Sequence, residues 1–233
     1  MTATIKKLWK NEYFQTAVVV ALIVAVIFGF WFGSQLVLNT KIPPALAVIS
    51  GSMCIPYDGA CDGWAHPFDQ TLHVGDIIVI QGVDPKDLNA NYPNSDIIVY
   101  QNPWYPTDPD AKIVHRIVAK EEINGTLYFY TKGDGNGADK WPNTPDRSEY
   151  DPWSPVPANL IYGKVVMRIP WIGHIAIFMH KVLGVNSSFI GIPIIIILII
   201  LLILIEFVLP IFRHRKVPTD QRKAVESTLQ MYL

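Results

Sequence analysis

Charge is missing from two long stretches of this chain. From Thr16 to Leu38 there is no charged residue, and from Phe189 to Phe212 there is one, Glu206. Excess charge of either sign is missing too: the formal net charge is -1, which gives no electrostatic footprint for nucleic acid. Cysteine is nearly absent. Cys54 and Cys61 are the only two, and their spacing is wider than the C-x2–4-C of structural zinc sites. The pair therefore reads first as a disulfide, second as free thiols, and third as a zinc site completed by His66 and His73. No metal or organic cofactor is expected.

What is present in the uncharged stretches is enough apolar sequence to cross a bilayer twice, since roughly 20 apolar residues span the hydrocarbon core as a helix. The first run has a rival reading as a cleaved signal peptide. Lys6, Lys7 and Lys10 would be its basic region and Ala45-Leu46-Ala47 its cleavage site. Signal-peptide apolar regions run to about 7–15 residues, and this one is longer, so a retained helix is expected. Lysines and arginines flank the runs at Lys6, Lys7 and Lys10 and at Arg213, Arg215, Lys216, Arg222 and Lys223, which puts both termini in the cytoplasm. The expected layout is a cytoplasmic segment 1–15, a membrane helix 16–38, an extracytoplasmic domain 39–188, a second membrane helix 189–212 and a cytoplasmic tail 213–233. The expected location is the cell membrane, multi-pass, with the lipid bilayer as a partner. Glu206 stands about two turns from Arg213, and partial solvation near the interface accounts for it more simply than a functional acid in the membrane.

The segment between the runs reads as mainly β. His73–Val83 holds a β-branched run after a Gly-Asp turn, Ile97–Tyr100 and Ile161–Met167 are short strands, and Lys112–Lys120 alternates around His115. Asn124-Gly125 between apolar flanks in Glu121–Tyr130 is a strong hairpin signal. Short strands with turn signals and no long helical period indicate a β-rich domain. Its loops 84–95, 102–110 and 134–157 are long and rich in proline, asparagine and aspartate, and loops of that length are often functional. Trp141 and Trp153 in the last of them read either as membrane-interface anchors or as cover for a small core. Residues 170–185 are apolar with His174, His180 and Lys181 interspersed. They read as a membrane-surface helix or as a packed helix of the domain.

The most informative stretch is Ser50-Gly51-Ser52-Met53, just beyond the first run. A serine is a weak nucleophile until a base takes its proton. Of His66, His73, His115, His174 and His180, only His115 stands mid-strand, where a sheet fixes its position. A lone strand histidine is more often structural than catalytic, and by itself the signal is weak.

Ser50-Gly51-Ser52-Met53 with Pro56, Val74-Gly75-Asp76-Ile77-Ile78-Val79, Val114-His115-Arg116-Ile117-Val118 and Thr131-Lys132-Gly133-Asp134 occur in this order. Together they resemble the ordered boxes of type I signal peptidases, over most of 45–167. Histidine at 115, where the bacterial enzymes have lysine, points to the archaeal and endoplasmic-reticulum branch. The resemblance implies a β-rich extracytoplasmic signal-peptidase-like catalytic domain between two transmembrane helices. It implies a serine endopeptidase that cleaves signal peptides from exported preproteins on the outer membrane face, with the protein-export machinery as a further partner. Ser52 would be the nucleophile, His115 the general base and Ser50 the oxyanion donor. An aspartate would orient the imidazole, and three qualify: Asp134 is firmest by motif, Asp139 fits the spacing of the second acid, and Asp151 fits if the residues between are an insertion, since Asp151-Pro152-Trp153 resembles an archaeal segment. Turn chemistry is the ordinary role of such aspartates. Lys132, beside the glycine-aspartate turn, reads as a charge-balancing residue rather than as the base of a Ser–Lys dyad. The rival function is a non-catalytic membrane-anchored β domain that assists translocation or envelope assembly.

Overall fold

The computed structural model describes residues 12–55, 61 and 71–183. The second apolar run with Glu206, the basic residues at both ends, His66 and Pro56 lie outside them. Helix α1 (Glu12–Val37) covers the first apolar run. Among the described residues it is the one helix long and apolar enough to cross a membrane.

Beyond α1 the described residues build one antiparallel sheet of seven strands. They are β1 (Ala45–Ala47), β2 (Ile77–Gln81), β3 (Ile97–Gln101), β4 (Lys112–Ile123), β5 (Thr126–Lys132), β6 (Val156–Pro157) and β7 (Ile161–Ile169), in the spatial order β1-β2-β7-β3-β4-β5-β6. Helix α2 (Gly173–Leu183) follows β7. The β-rich expectation holds for the described residues. The hairpin falls at Asn124-Gly125, with Ile123 opposite Thr126 and φ values of 51° and 76° at the two turn residues. Both angles lie in the left-handed region that a type I′ turn requires. β1 and β6 are new relative to the sequence reading: at three and two residues they are too short to carry a period. The residues of the rival cleavage site, Ala45-Leu46-Ala47, form β1 and pair with Val79-Ile78-Ile77.

Side-chain alternation divides the core. Val99 joins Val48, Met53, Leu72, Ile78 and Ile80. Its neighbours Ile98 and Tyr100 join Leu88, Ile117, Phe129 and Val156. Met53 is fully buried in the first cluster, worth about 1.5–3 kcal/mol for a side chain of that size. It pins the segment that carries Ser52. The Cys54–Cys61 disulfide is formed, with a Cα–Cα distance of 5.8 Å.

Alternation also divides β4 and β5. Ile117 stands opposite Thr131, and Arg116 opposite Lys132. His115 and Thr131 therefore project from one face, Arg116 and Lys132 from the other.

Candidate active site

Ser52 lies in a tight turn closed by a Cys54 N–H to Gly51 carbonyl bond of 2.9 Å. Its own carbonyl accepts the Gly135 N–H at 2.9 Å, so the turn after β5 presses directly on the serine segment. The approach requires glycine. A Cβ on Gly133 would stand 2.5 Å from the Ser52 carbonyl oxygen and 3.0 Å from His115 Nε2, and one on Gly135 would stand 2.0 Å from the Cys54 carbonyl oxygen.

His115 is buried at mid-β4, with 3% of its surface exposed. Its Nε2 is 2.9 Å from Ser52 Oγ and its Nδ1 is 2.5 Å from Asp151 Oδ2. An ionised carboxylate only accepts hydrogen bonds. Nδ1 therefore carries the proton, and the Nε2 lone pair is left facing the serine hydroxyl. Ser50 Oγ is 3.4 Å from Ser52 Oγ, on the exposed side of the pair.

The three aspartates go to different places. Asp151 meets the His115 ring. Asp134 takes a bidentate pair from Arg116, Nε to Oδ1 and Nη2 to Oδ2, both at 2.8 Å. Burial pushes its carboxyl up from the ordinary range, and the Arg116 guanidinium pulls the other way. Asp139 contributes its backbone: its carbonyl accepts Lys132 Nζ at 2.7 Å and its N–H faces the Glu149 carboxylate at 3.1 Å. Lys132 Nζ also donates to the Asn136 carbonyl at 2.6 Å and lies 3.6 Å from Glu149 Oε2. It is thus built into the 134–149 loop. His73 lies in a separate buried group, its N–H donated to Asp76 Oδ2 at 2.9 Å and its ring 3.5 Å from Arg168.

Loop 133–155 explains why Asp151 reaches the ring. The chain leaves β5 at Lys132 and returns so that the Asp151 N–H donates to the Thr131 carbonyl at 2.8 Å. Residues 151 and 131 are thus joined directly despite the intervening sequence. Trp153, on the same return, packs on His115 with ring centroids 6.1 Å apart and planes 27° from parallel. Trp141 instead covers Arg116 at 5.2 Å and donates its indole N–H to the Pro93 carbonyl.

A cleft of about 310 Å³ opens at Ser52 and His115. One wall runs from Leu46 to Ser50, and the other comprises Asp110 and Lys112 to His115, with Trp153 beside them. Sequence reasoning did not single out Tyr100 or Thr131. Each hydrogen-bonds Asp151 Oδ2, at 3.3 and 2.8 Å. Their signal is cross-strand register, which no local motif carries.

The chain is similar to catalytic subunits of signal peptidase complexes. It is 25% identical over 171 residues to the signal peptidase complex catalytic subunit SEC11 of Verticillium alfalfae, covering 73% of this chain and 83% of that one. It is 26% identical over 180 residues to SEC11C of Homo sapiens, covering 76% and 77%. It is 24% identical over 172 residues to SEC11 of Fusarium vanettenii, covering 74% and 84%. These relatives carry the resemblance to the archaeal and endoplasmic-reticulum branch of type I signal peptidases. No family model matches the chain.

Proposed function

We propose that the chain is a membrane-anchored serine endopeptidase that removes N-terminal signal peptides from exported preproteins. The observation that carries the reading is the line Ser52 Oγ, His115, Asp151 at 2.9 and 2.5 Å, opening on a cleft. Ser52 Oγ attacks the scissile carbonyl carbon as His115 Nε2 takes its proton. The C–O bond forms and the carbonyl oxygen becomes an oxyanion, to which the Ser50 hydroxyl donates. Loss of one such donor typically costs about 2.7–4 kcal/mol of transition-state stabilisation. Collapse breaks the C–N bond, and His115 returns the proton to the leaving amine. Water, deprotonated by His115, then hydrolyses the acyl-serine. Asp151 holds the tautomer and stabilises the imidazolium formed in each step.

The substrate is an extended peptide. β1 lies at one edge of the sheet. Residues 112–115 of β4 precede its pairing with β5, which starts at Arg116. Both present backbone groups to the cleft, and an incoming strand pairs with such edges. The walls offered by Leu46, Ala47, Val48, Ile113 and Val114 suit small side chains before the cut.

The catalytic domain lies on the outer face, held by α1 and a second membrane helix at 189–212, with both termini cytoplasmic and the export machinery nearby. Residues 170–185 lie along the membrane surface. Ile175, Phe178 and Val182 recur along α2 at helical spacing and are 49%, 63% and 60% exposed, with Trp171 and Ile172 exposed just before it. Ser52→Ala tests the enzyme reading: it abolishes processing of a preprotein in liposomes, and retained cleavage overturns the reading.

A further inference from the structure

Four polar groups behind the imidazole form one directed chain. An indole N–H only donates. Trp153 Nε1 is 2.7 Å from Tyr100 OH, so the Tyr100 oxygen accepts there, and its own hydrogen points onward. Thr131 Oγ1 lies 2.9 Å from that oxygen and 2.8 Å from Asp151 Oδ2. The carboxylate only accepts, so Thr131 donates to Asp151 and takes the Tyr100 hydrogen on a lone pair. The Tyr100 hydrogen has two acceptors within reach, Thr131 Oγ1 at 2.9 Å and Asp151 Oδ2 at 3.3 Å, and the shorter contact completes the chain; chains of this kind polarise along their length. Burial and the Asp151 charge push the Tyr100 phenol up, which keeps it a donor.

Position reinforces this. Asp151 Oδ2 receives His115 Nδ1 and Thr131 Oγ1 at 2.5 and 2.8 Å, and the Tyr100 oxygen stands 3.3 Å away. Thr131 clamps the same loop through its backbone, with its carbonyl on the Asp151 N–H at 2.8 Å and its N–H on Ser154 Oγ at 3.1 Å. At the far end, Trp153 is a wall of the cleft, packed edge to face on Trp104 at 5.7 Å. The residue that begins the chain therefore also meets whatever occupies the cleft.

We propose that Tyr100, Thr131 and Trp153 are positioning residues, which fix the Asp151 carboxylate on His115 and link its placement to the cleft wall. The inference rests on the serine-protease reading, deepening it from three residues to six. Removing the Thr131 or the Tyr100 link leaves substrate binding intact and slows the chemical step. Thr131→Val, which keeps the shape and deletes the hydroxyl, lowers kcat by about 10- to 100-fold, the usual range for losing a group that orients a site residue. KM stays within about twofold, as expected for an interaction that matters chiefly in the transition state. Thr131→Ser restores kcat. Tyr100→Phe breaks the chain without touching Thr131 and lowers kcat in the same direction. Trp153→Phe keeps one aromatic ring and loses the N–H, with a smaller fall.

A second readout is the downfield proton NMR signal of His115 Nδ1–H, recorded in the Ser52→Ala background. It shifts in Thr131→Val and in Tyr100→Phe. Wild-type kcat and an unmoved resonance in Tyr100→Phe overturn the inference, as does a Thr131→Ser variant no better than Thr131→Val. Should Thr131→Val fail to fold, Tyr100→Phe carries the test. Cleavage by Ser52→Ala itself would instead overturn the serine reading, while the resonance would still report on the chain.

Discussion

His115 and Arg116 are neighbours on β4 and face opposite sides of the sheet. Each meets one buried carboxylate, Asp151 at 2.5 Å and Asp134 at 2.8 Å. The two pairs have opposite characters. Arg116 is permanently charged, and its planar fork matches the carboxylate with two bonds. Its guanidinium has no lone pair to accept a proton, and Trp141 caps the pair. His115 uses one nitrogen for its acid and turns the other to Ser52 and the cleft. One carboxylate closes the loop down on the sheet, and the other leaves an imidazole nitrogen open to the cleft. Motif strength along the chain does not distinguish them; the face of the strand does.

The largest expected effect separates the two acids by rate. Asp151→Asn leaves the geometry but favours the wrong imidazole tautomer, and kcat falls by about 10⁴-fold, as for the equivalent change in a serine triad. A single-turnover assay with a preprotein measures it, and a fall below about tenfold would make Asp151 dispensable to the base. Asp134→Asn is expected to act on stability instead. It leaves the buried Arg116 charge unpaired, which costs about 3–5 kcal/mol, read by denaturant unfolding. Activity per folded molecule stays within a few-fold of wild type. Replacing both partners, Arg116→Met with Asp134→Leu, recovers most of that stability, because an apolar pair of similar volume is often neutral. No such double replacement of His115 and Asp151 recovers cleavage.

Two smaller effects sharpen the contrast. Gly133→Ala drives a methyl between the Ser52 carbonyl and His115 Nε2; cleavage drops while secondary structure by circular dichroism is unchanged. Phe178→Glu on α2 lowers cleavage of a preprotein in liposomes modestly. It leaves cleavage of a short peptide in detergent unaltered, which would not hold if the helix served only to pack the domain.

Much of the sheet was legible because alternation and turn residues are local. β4, β5 and the Asn124-Gly125 turn are written in consecutive residues. β1 and β6 were not, because they owe their existence to partners, Ile77–Val79 and Tyr128–Phe129. The same limit applies to the site. Ser52 and His115 stand in short, recognisable boxes. The choice among Asp134, Asp139 and Asp151 depends on where a long loop returns, and the roles of Tyr100 and Thr131 depend on side chains meeting across 31 residues. Trp153 had two readings, membrane interface or core cover; it packs against the core cluster of Ile98 and Tyr100, and its indole also lies against the His115 ring.

The return of loop 133–155 to its own starting point has a practical meaning. Its ends are fastened at Thr131, while Pro142, Asn143 and Thr144 at its outer part are exposed. Lengthening a loop whose ends are fixed is inexpensive, about 0.6 kcal/mol for each doubling. Asn143 is therefore a natural graft point: a reporter peptide inserted there would sit on the β domain without disturbing Ser52, His115 or Asp151.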